Sequence, residues 1–341
     1  MRRILLGLIC ALTVVPVSAQ TRDEDVVRCA SNDADTKITG CNALIQSGRE
    51  GVVDLAVSYA FRGIGYIRKG AYDQAIADLS QAIALNPAFA NAYDNRGVAY
   101  GEKGFTGEAI TDFTKAITLD PNLVIAYANR GLAYGKLGLN DEAISDFTRV
   151  ITLRPDDADA YGNRGLVNAK TGAYDKAIAD LTRMIALKPD FANAYDNRGV
   201  TYGMAGLYDA AIADFTKAIS LRPSYAKAYM DRAFAYRNKR LYDQAITDYD
   251  KAIELIPNDA KAYNDRSWTY HLMGQDTSAL ADAEKAVELA PTVANHLGTR
   301  AAIYEKLGRR TEAIADYRAA LTLDGHLQSA EAGLKRLGSA P

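Results

Sequence analysis

Seven prolines in this chain, Pro87, Pro121, Pro155, Pro189, Pro223, Pro257 and Pro291, stand 34 residues apart, and only Pro16 and Pro341 fall outside the series. Tyrosines keep the same step. Tyr59, Tyr93, Tyr127, Tyr161, Tyr195, Tyr229 and Tyr263 form one column, closed by Leu297. Tyr66, Tyr100, Tyr134, Tyr202, Tyr236, Tyr270 and Tyr304 form another, interrupted by Asn168. The column from Ala75 to Ala313 is alanine in every copy. A length of 341 residues could hold two ordinary domains. Strict periodicity selects instead a repeat array, whose units bury their apolar sides only by stacking on neighbours.

Within a copy the spacing reads as two helices. Tyr93, Arg96, Gly97 and Tyr100 follow the i, i+3, i+4, i+7 rule of one helical face. Gly104 ends that helix. Ala109, Phe113, Ala116 and Ile117 mark the face of a second, and Pro121 stops it, because proline has no N–H with which to continue the ladder.

The start of the chain breaks the pattern. Arg2 and Arg3 precede an apolar run from Ile4 to Val15, and Val17-Ser18-Ala19 supplies the small residues of a cleavage site, so residues 1–19 read as a signal peptide. The run is short for a membrane span; an uncleaved anchor is the other reading. Ile9 precedes Cys10 where lipid attachment requires a small residue, which argues against a lipoprotein. Cleavage removes two arginines and makes the net charge of −2 more negative by two, leaving no basic footprint for nucleic acid. Hydrophobic residues at 48% and charged residues at 24% exclude wholesale disorder. Export brings the two remaining cysteines, Cys29 and Cys41, into oxidising surroundings, where they are expected to pair. The loop so closed is worth about 3 kcal/mol. A metal site lacks further ligands nearby, and the spacing is not that of a C-x-x-C dithiol.

The stretch Tyr93-x-x-Arg96-Gly97-x-x-Tyr100, Ala109-x-x-x-Phe113 and Pro121 resembles the tetratricopeptide repeat, with Tyr where that family has Trp and Arg where it has Leu. The resemblance runs in register over residues 56–327 as eight copies: 56–89, 90–123, 124–157, 158–191, 192–225, 226–259, 260–293 and 294–327. It implies an all-α fold, a right-handed superhelical solenoid of helix hairpins with a concave groove that holds a protein or peptide. Residues 20–55 read as a degenerate N-terminal copy, with Cys41 in the column of Ala75 and Cys29 in that of Gly63, two columns that face each other in a hairpin. Residues 328–341 read as a C-terminal cap helix and tail, the helix ended by Gly338.

The departures from the family pattern are informative. Arg62, Arg96, Arg130, Arg164, Arg198, Arg232, Arg266 and Arg300 replace its leucine in every copy. Asp78, Asp112, Asp146, Asp180, Asp214, Asp248, Asp282 and Asp316 form an equally uniform column. Each Arg lies as far before the turn residue as the Asp lies after it, so in an antiparallel hairpin the two share a height. Pairs such as Arg96 with Asp112 and Arg130 with Asp146 can then meet, within a copy or across to the next, as a structural ladder of forked ion pairs. The other reading is an arginine row for acidic ligands; the face shared with the Tyr and Gly columns favours the ladder. Arg240 stands where the other copies turn on glycine, so that turn is expected to close differently.

His271, His296 and His326 are the only histidines, and no H-E-x-x-H, G-x-S-x-G or phosphate-loop motif occurs, so no catalytic residue, metal or cofactor is assigned. A carboxylate pair of hydrolase type hidden in the repeat is the remaining enzymatic alternative. In the family resembled, the first-helix residues one, five and eight positions past the core tyrosine line the groove. Here they are plain in the early copies (Asp94, Val98 and Gly101; Ala128, Leu132 and Gly135). They turn aromatic and basic at Met230, Phe234 and Arg237 and at Asn264, Trp268 and His271, with Lys227 and Lys261 alongside. Large aromatics beside arginine are what binding hot spots favour, and the lysines could meet an acidic or C-terminal group. Trp268 has a second reading, as filler for the space left by Ala283 in the Phe113 column. The Lys/Asn clamp of chaperone-tail-binding members is not reproduced, since Asp94, Ala128, Val98 and Leu132 stand there. These features point to an exported adaptor, periplasmic in a Gram-negative bacterium, that holds a protein or peptide during envelope assembly without stable membrane insertion. The alternative is a structural module bound through its ends or convex face.

Overall fold

The structure, a computed structural model, describes residues 17–340. The expected signal peptide lies outside them, apart from Val17–Ala19 at the start of the first helix. Every regular element among the described residues is a helix. The chain divides into two compact units, residues 1–160 and 161–341. The first contains α1 (Val17–Ala30), α2 (Ala34–Ser47), α3 (Val52–Arg68), α4 (Tyr72–Leu85), α5 (Ala90–Glu102), α6 (Thr106–Leu119), α7 (Val124–Leu137) and α8 (Asn140–Leu153), and the boundary falls inside α9 (Ala158–Lys170). The second continues with α10 (Tyr174–Leu187), α11 (Ala192–Met204), α12 (Tyr208–Leu221), α13 (Ala226–Asn238), α14 (Tyr242–Leu255) and α15 (Ala260–Leu272). It ends with α16 (Asp276–Leu289), α17 (Ala294–Lys306), α18 (Arg310–Leu323) and α19 (Gln328–Arg336).

Small residues set how closely the helices of a hairpin approach. A Cβ placed on Gly97 would lie 2.6 Å from Phe113 Cε1, so α5 takes the Phe113 ring flush against its backbone. Burial of such a ring contributes about 2–3 kcal/mol. In the copy where Ala283 replaces the ring, Ile303 of α17 fills the space, packed with Ala279, Tyr270 and Leu280. Within each unit the odd-numbered helices touch one another from copy to copy (α3 with α5 and α5 with α7; α13 with α15 and α15 with α17), whereas no such contact links α4 with α6 or α14 with α16. The odd helices therefore form the inner side of each unit.

The hairpin turns share one geometry. Gly104 takes a φ of 84°, its N–H donates to Gly101 O at 3.1 Å, and Phe105 N–H donates to Tyr100 O at 2.9 Å. Arg240 corrects the expectation of a different closure. It adopts the same left-handed φ, 61°, with Arg240 N–H to Arg237 O at 2.9 Å and Leu241 N–H to Tyr236 O at 3.0 Å. The paired backbone bonds hold the turn, and the side chain accepts a strain of roughly 1–2 kcal/mol.

Both ends are tied. Cys29 and Cys41, both buried, are bonded (Sγ–Sγ 1.97 Å) and join α1 to α2. Gly40 permits that approach, since a Cβ there would meet Cys29 N at 2.5 Å. Beside it the buried Lys37 donates to Cys29 O at 3.0 Å and lies 4.6 Å from the Phe61 ring centre; burial lowers its pKa. At the other end α19 packs on α17 and α18, its Gly333 flush against the Tyr317 ring.

Candidate functional site

The charged columns meet inside each hairpin. Arg96 Nε and Nη2 donate to Asp112 Oδ2 and Oδ1 at 2.7 and 2.9 Å, and Arg130 donates likewise to Asp146 at 2.8 and 2.8 Å. The other six copies repeat the fork within 2.7–2.9 Å. The hydrogen bond to the carboxylate raises the Arg96 and Arg130 pKa values, against the opposing effect of burial. The remaining nitrogen reaches back one copy: Arg96 Nη1 donates to Ser80 Oγ at 3.0 Å and Arg130 Nη1 to Thr114 Oγ1 at 3.0 Å. Arg198, Arg232 and Arg266 do the same to Thr182, Thr216 and Asp250. The Arg130 guanidinium also lies between the Tyr127 and Tyr134 rings, at 5.8 and 5.7 Å. Each tyrosine column thus covers a charged core.

The column one past the core tyrosine, expected from sequence as groove wall, is seam at Asp94, Asp196 and Met230 and lines a cavity at Asn264 and Gly298. At the first three positions successive first helices close over the side chain. Asp94 is buried and accepts from Asn129 Nδ2 at 3.1 Å; burial pushes its carboxyl up to about 6. Asp196, also buried, accepts from Lys227 Nζ at 2.6 Å and Tyr225 OH at 3.1 Å, and burial again raises its pKa. Met230 occupies the same column and is a correction. It is only 7% exposed, in a cluster with Ala233, Tyr249 and Ala262, because the next first helix covers it.

The lysines come with carboxylate partners of their own, and Lys261 also lines a cavity of the inner side. Lys227 Nζ is held by Asp196 and by Asp231 at 2.7 Å, and Lys261 Nζ by Asp265 at 2.6 Å, so each cation already has its carboxylate. His271 is paired as well: its Nδ1 lies 2.7 Å from Asp276 Oδ1 at the start of α16, and its ring supports Trp268 at 5.0 Å between centres.

The structure brings Phe234, Arg237, Asn264 and Trp268 to two neighbouring cavities on the inner side of the second unit. One, of about 410 Å³, is apolar, walled by Val200, Met204, Phe215 and Phe234. The other, of about 430 Å³, is polar, lined by Arg237, Asn264, Trp268, Thr299, Tyr317 and Arg336 among others. Arg237 stacks on Phe234 at 5.0 Å. That stack and the Lys261–Asp265 pair each give one member to each cavity. The first unit, by contrast, carries a hollow of about 110 Å³ beside Val98, Phe113 and Leu132.

The contribution of α19 was not foreseen from sequence, where Arg336 falls on the polar face of a cap helix. Arg336 grips Glu305 with two bonds of 2.9 Å, and Glu305 also accepts from Tyr317 OH at 2.8 Å. The signal was available: Glu305 is the one acidic residue eight past a core-tyrosine position. Among the described residues no group of His, Cys, Asp or Glu is disposed to hold a metal ion, and no helix is long and apolar enough to cross a membrane.

None of the curated proteins matches the chain. Among solved structures it is similar to MamA, 33% identical over 48% of this chain and 96% of that one, with a TM-score of 0.46. It is also similar to YrrB, described as a TPR protein with an unusual peptide-binding site, 24% identical over 55% and 95%, TM-score 0.48. The likeness to the APC/C hetero-tetramer Cut9–Hcn1 is one of fold: 17% identity over 89% of this chain and 59% of that one, TM-score 0.57. A family model described as "TPR repeat" matches residues 65–104 and 106–138. Models described as "Tetratricopeptide repeat" match residues 140–198, 192–225, 226–259, 248–281 and 297–326. Helix hairpins recurring at one interval, matched by models of this one repeat along most of that length, place the chain in the tetratricopeptide-repeat family.

Proposed function

We propose that the protein is an adaptor that holds a partner protein or peptide against the inner side of its second unit. Repeats of this family are protein-interaction modules, and the observation that carries the reading is the pair of cavities flanking the Phe234–Arg237 stack. Phe234 is 44% exposed and Met204 51%, so the apolar cavity presents open surface to a partner. Trp268 in the wall of the second cavity supports its reading as a binding residue. Aromatic and arginine side chains in such hollows are those whose truncation most weakens binding.

The same proposal includes eight full copies over 56–327, a terminal hairpin stapled by Cys29 and Cys41, a leader over 1–19 and export to the periplasm for envelope assembly. A buried disulfide supports an oxidising compartment. As the only tryptophan, Trp268 gives a direct test. Partner bound on the inner side shifts or quenches its emission, and Trp268→Ala weakens capture of that partner from envelope extract. Partner binding that leaves the emission unchanged would instead place the contact on the ends or the outer side.

A further inference from the structure

We infer that the cavity of about 430 Å³ between α13, α15, α17 and α19 is a receptor for a carboxylate group, carried by a body that lies along Trp268. This deepens the adaptor reading and rests on it. Its volume lies within the usual range of ligand sites.

The observation is an arginine most of whose donors are not used. The eight ladder arginines are 16–21% exposed in the side chain, and each has its fork filled by a carboxylate at 2.7–2.9 Å. Arg237 is less exposed still, at 13%. Yet among the described residues its only hydrogen bond runs 3.4 Å to Asp265 O, and the Asp265 carboxylate stands off at 3.6 Å. Lys261 Nζ already takes that carboxylate at 2.6 Å. A guanidinium carries five donors in one plane and matches a carboxylate with two parallel bonds. Here the guanidinium lies over the Phe234 ring, and Arg237 lines the cavity.

Charge and hydrogen-bonding capacity agree. Arg237, Lys261 and Arg336 stand against Asp265 and Glu305, an excess of one positive charge. That suits a singly charged anion; the two carboxylates oppose a doubly charged phosphate. Thr299 and Ser329 bring hydroxyls to the wall, and Ser329 and Arg336 come from α19, so the terminal helix is part of the receptor. Asn264 adds a side-chain amide to the same wall. The ligand chemistry is therefore a carboxylate with an apolar body for Trp268. A peptide's C-terminal residue and an acidic side chain within a peptide both supply it.

Trp268 emission reads the test. N-acetylphenylalanine (free carboxylate) and its primary amide share the ring and the N–H and differ in the charge. The acid is expected to bind at least about tenfold more tightly than the amide, and Arg237→Gln to erase that preference. Ala302→Leu, which fills the cavity without removing a charge, should abolish the response to both, with an unchanged circular dichroism spectrum showing that the fold is intact. N-acetylglutamic acid 1-amide, whose carboxylate is a side chain, then separates the two sources: tighter binding than N-acetylphenylalanine assigns the site to acidic side chains, weaker binding to chain ends. Equal binding of acid and amide overturns the inference, as does retention of the preference in Arg237→Gln. So does displacement of the acid by inorganic phosphate at a lower concentration, or no response to about 20 mM acid, past the range expected for a ligand of this size. The adaptor reading fails separately, when a partner bound to the wild-type protein leaves Trp268 unmoved.

Discussion

Asp146→Ala removes one member of a buried forked pair and is the sharpest probe of the ladder. Asp146 is 4% exposed and takes both Arg130 donors at 2.8 Å. Truncating one side of such a pair costs roughly 3–5 kcal/mol, because the surviving charge is stranded. Arg130 keeps its bond to Thr114 and its place between the Tyr127 and Tyr134 rings, which puts the cost near the low end, about 3 kcal/mol. In native-state hydrogen exchange at pH 7 that is roughly a hundredfold loss of protection for the amides of α7 and α8. The double variant Arg130→Leu with Asp146→Leu strands no charge and restores the family's leucine, so it should lie within about 1 kcal/mol of the wild type. Unchanged protection in Asp146→Ala, or a double variant as damaged as the single one, would refute the reasoning.

Asp94 gives a pH prediction: with its carboxyl raised from 3.8 to about 6 by burial, the native first unit holds a proton that the unfolded chain has released. Its contribution to stability is present below pH 4 and lost as pH rises through 6, a fall on the order of 3 kcal/mol that urea titrations across that window should show and Asp94→Asn should remove. Replacing Cys29 and Cys41 together by alanine should cost about 3 kcal/mol, read as faster exchange in α1 and α2 with α5 to α8 unaffected. Arg240→Gly should raise the melting temperature, since glycine takes the left-handed turn without strain and gains about 1 kcal/mol.

The fold was legible because proline, glycine and alanine recur where a helix must stop, turn or be touched at close range, and each does so by its own covalent geometry. Gly104 and Ala109 mean the same thing in every copy. The Arg–Asp heights were legible for a related reason, since distance from a turn fixes height in a hairpin. What was not legible depends on the neighbouring copy. Ser80 and Thr114 complete the arginine contacts only once the stacking offset is known. Met230 and Asp94 sit on the expected face of their own helices yet are covered by the next one. Lys227 reads as an available cation until Asp196, 31 residues earlier, is brought to it. Arg240 shows the reverse, a residue unsuited to its turn that the surrounding backbone bonds hold in the shared conformation.

Site-specific photocrosslinking in cells tests the central claim most directly. A benzophenone side chain at position 204, exposed at the edge of the apolar cavity, is compared with one at Glu254 on the outer helix α14. Partner held on the inner side of the second unit crosslinks at position 204, and the Phe234→Asp variant loses that product while its circular dichroism spectrum is unchanged. Crosslinking at position 254 with none at 204 would contradict the account.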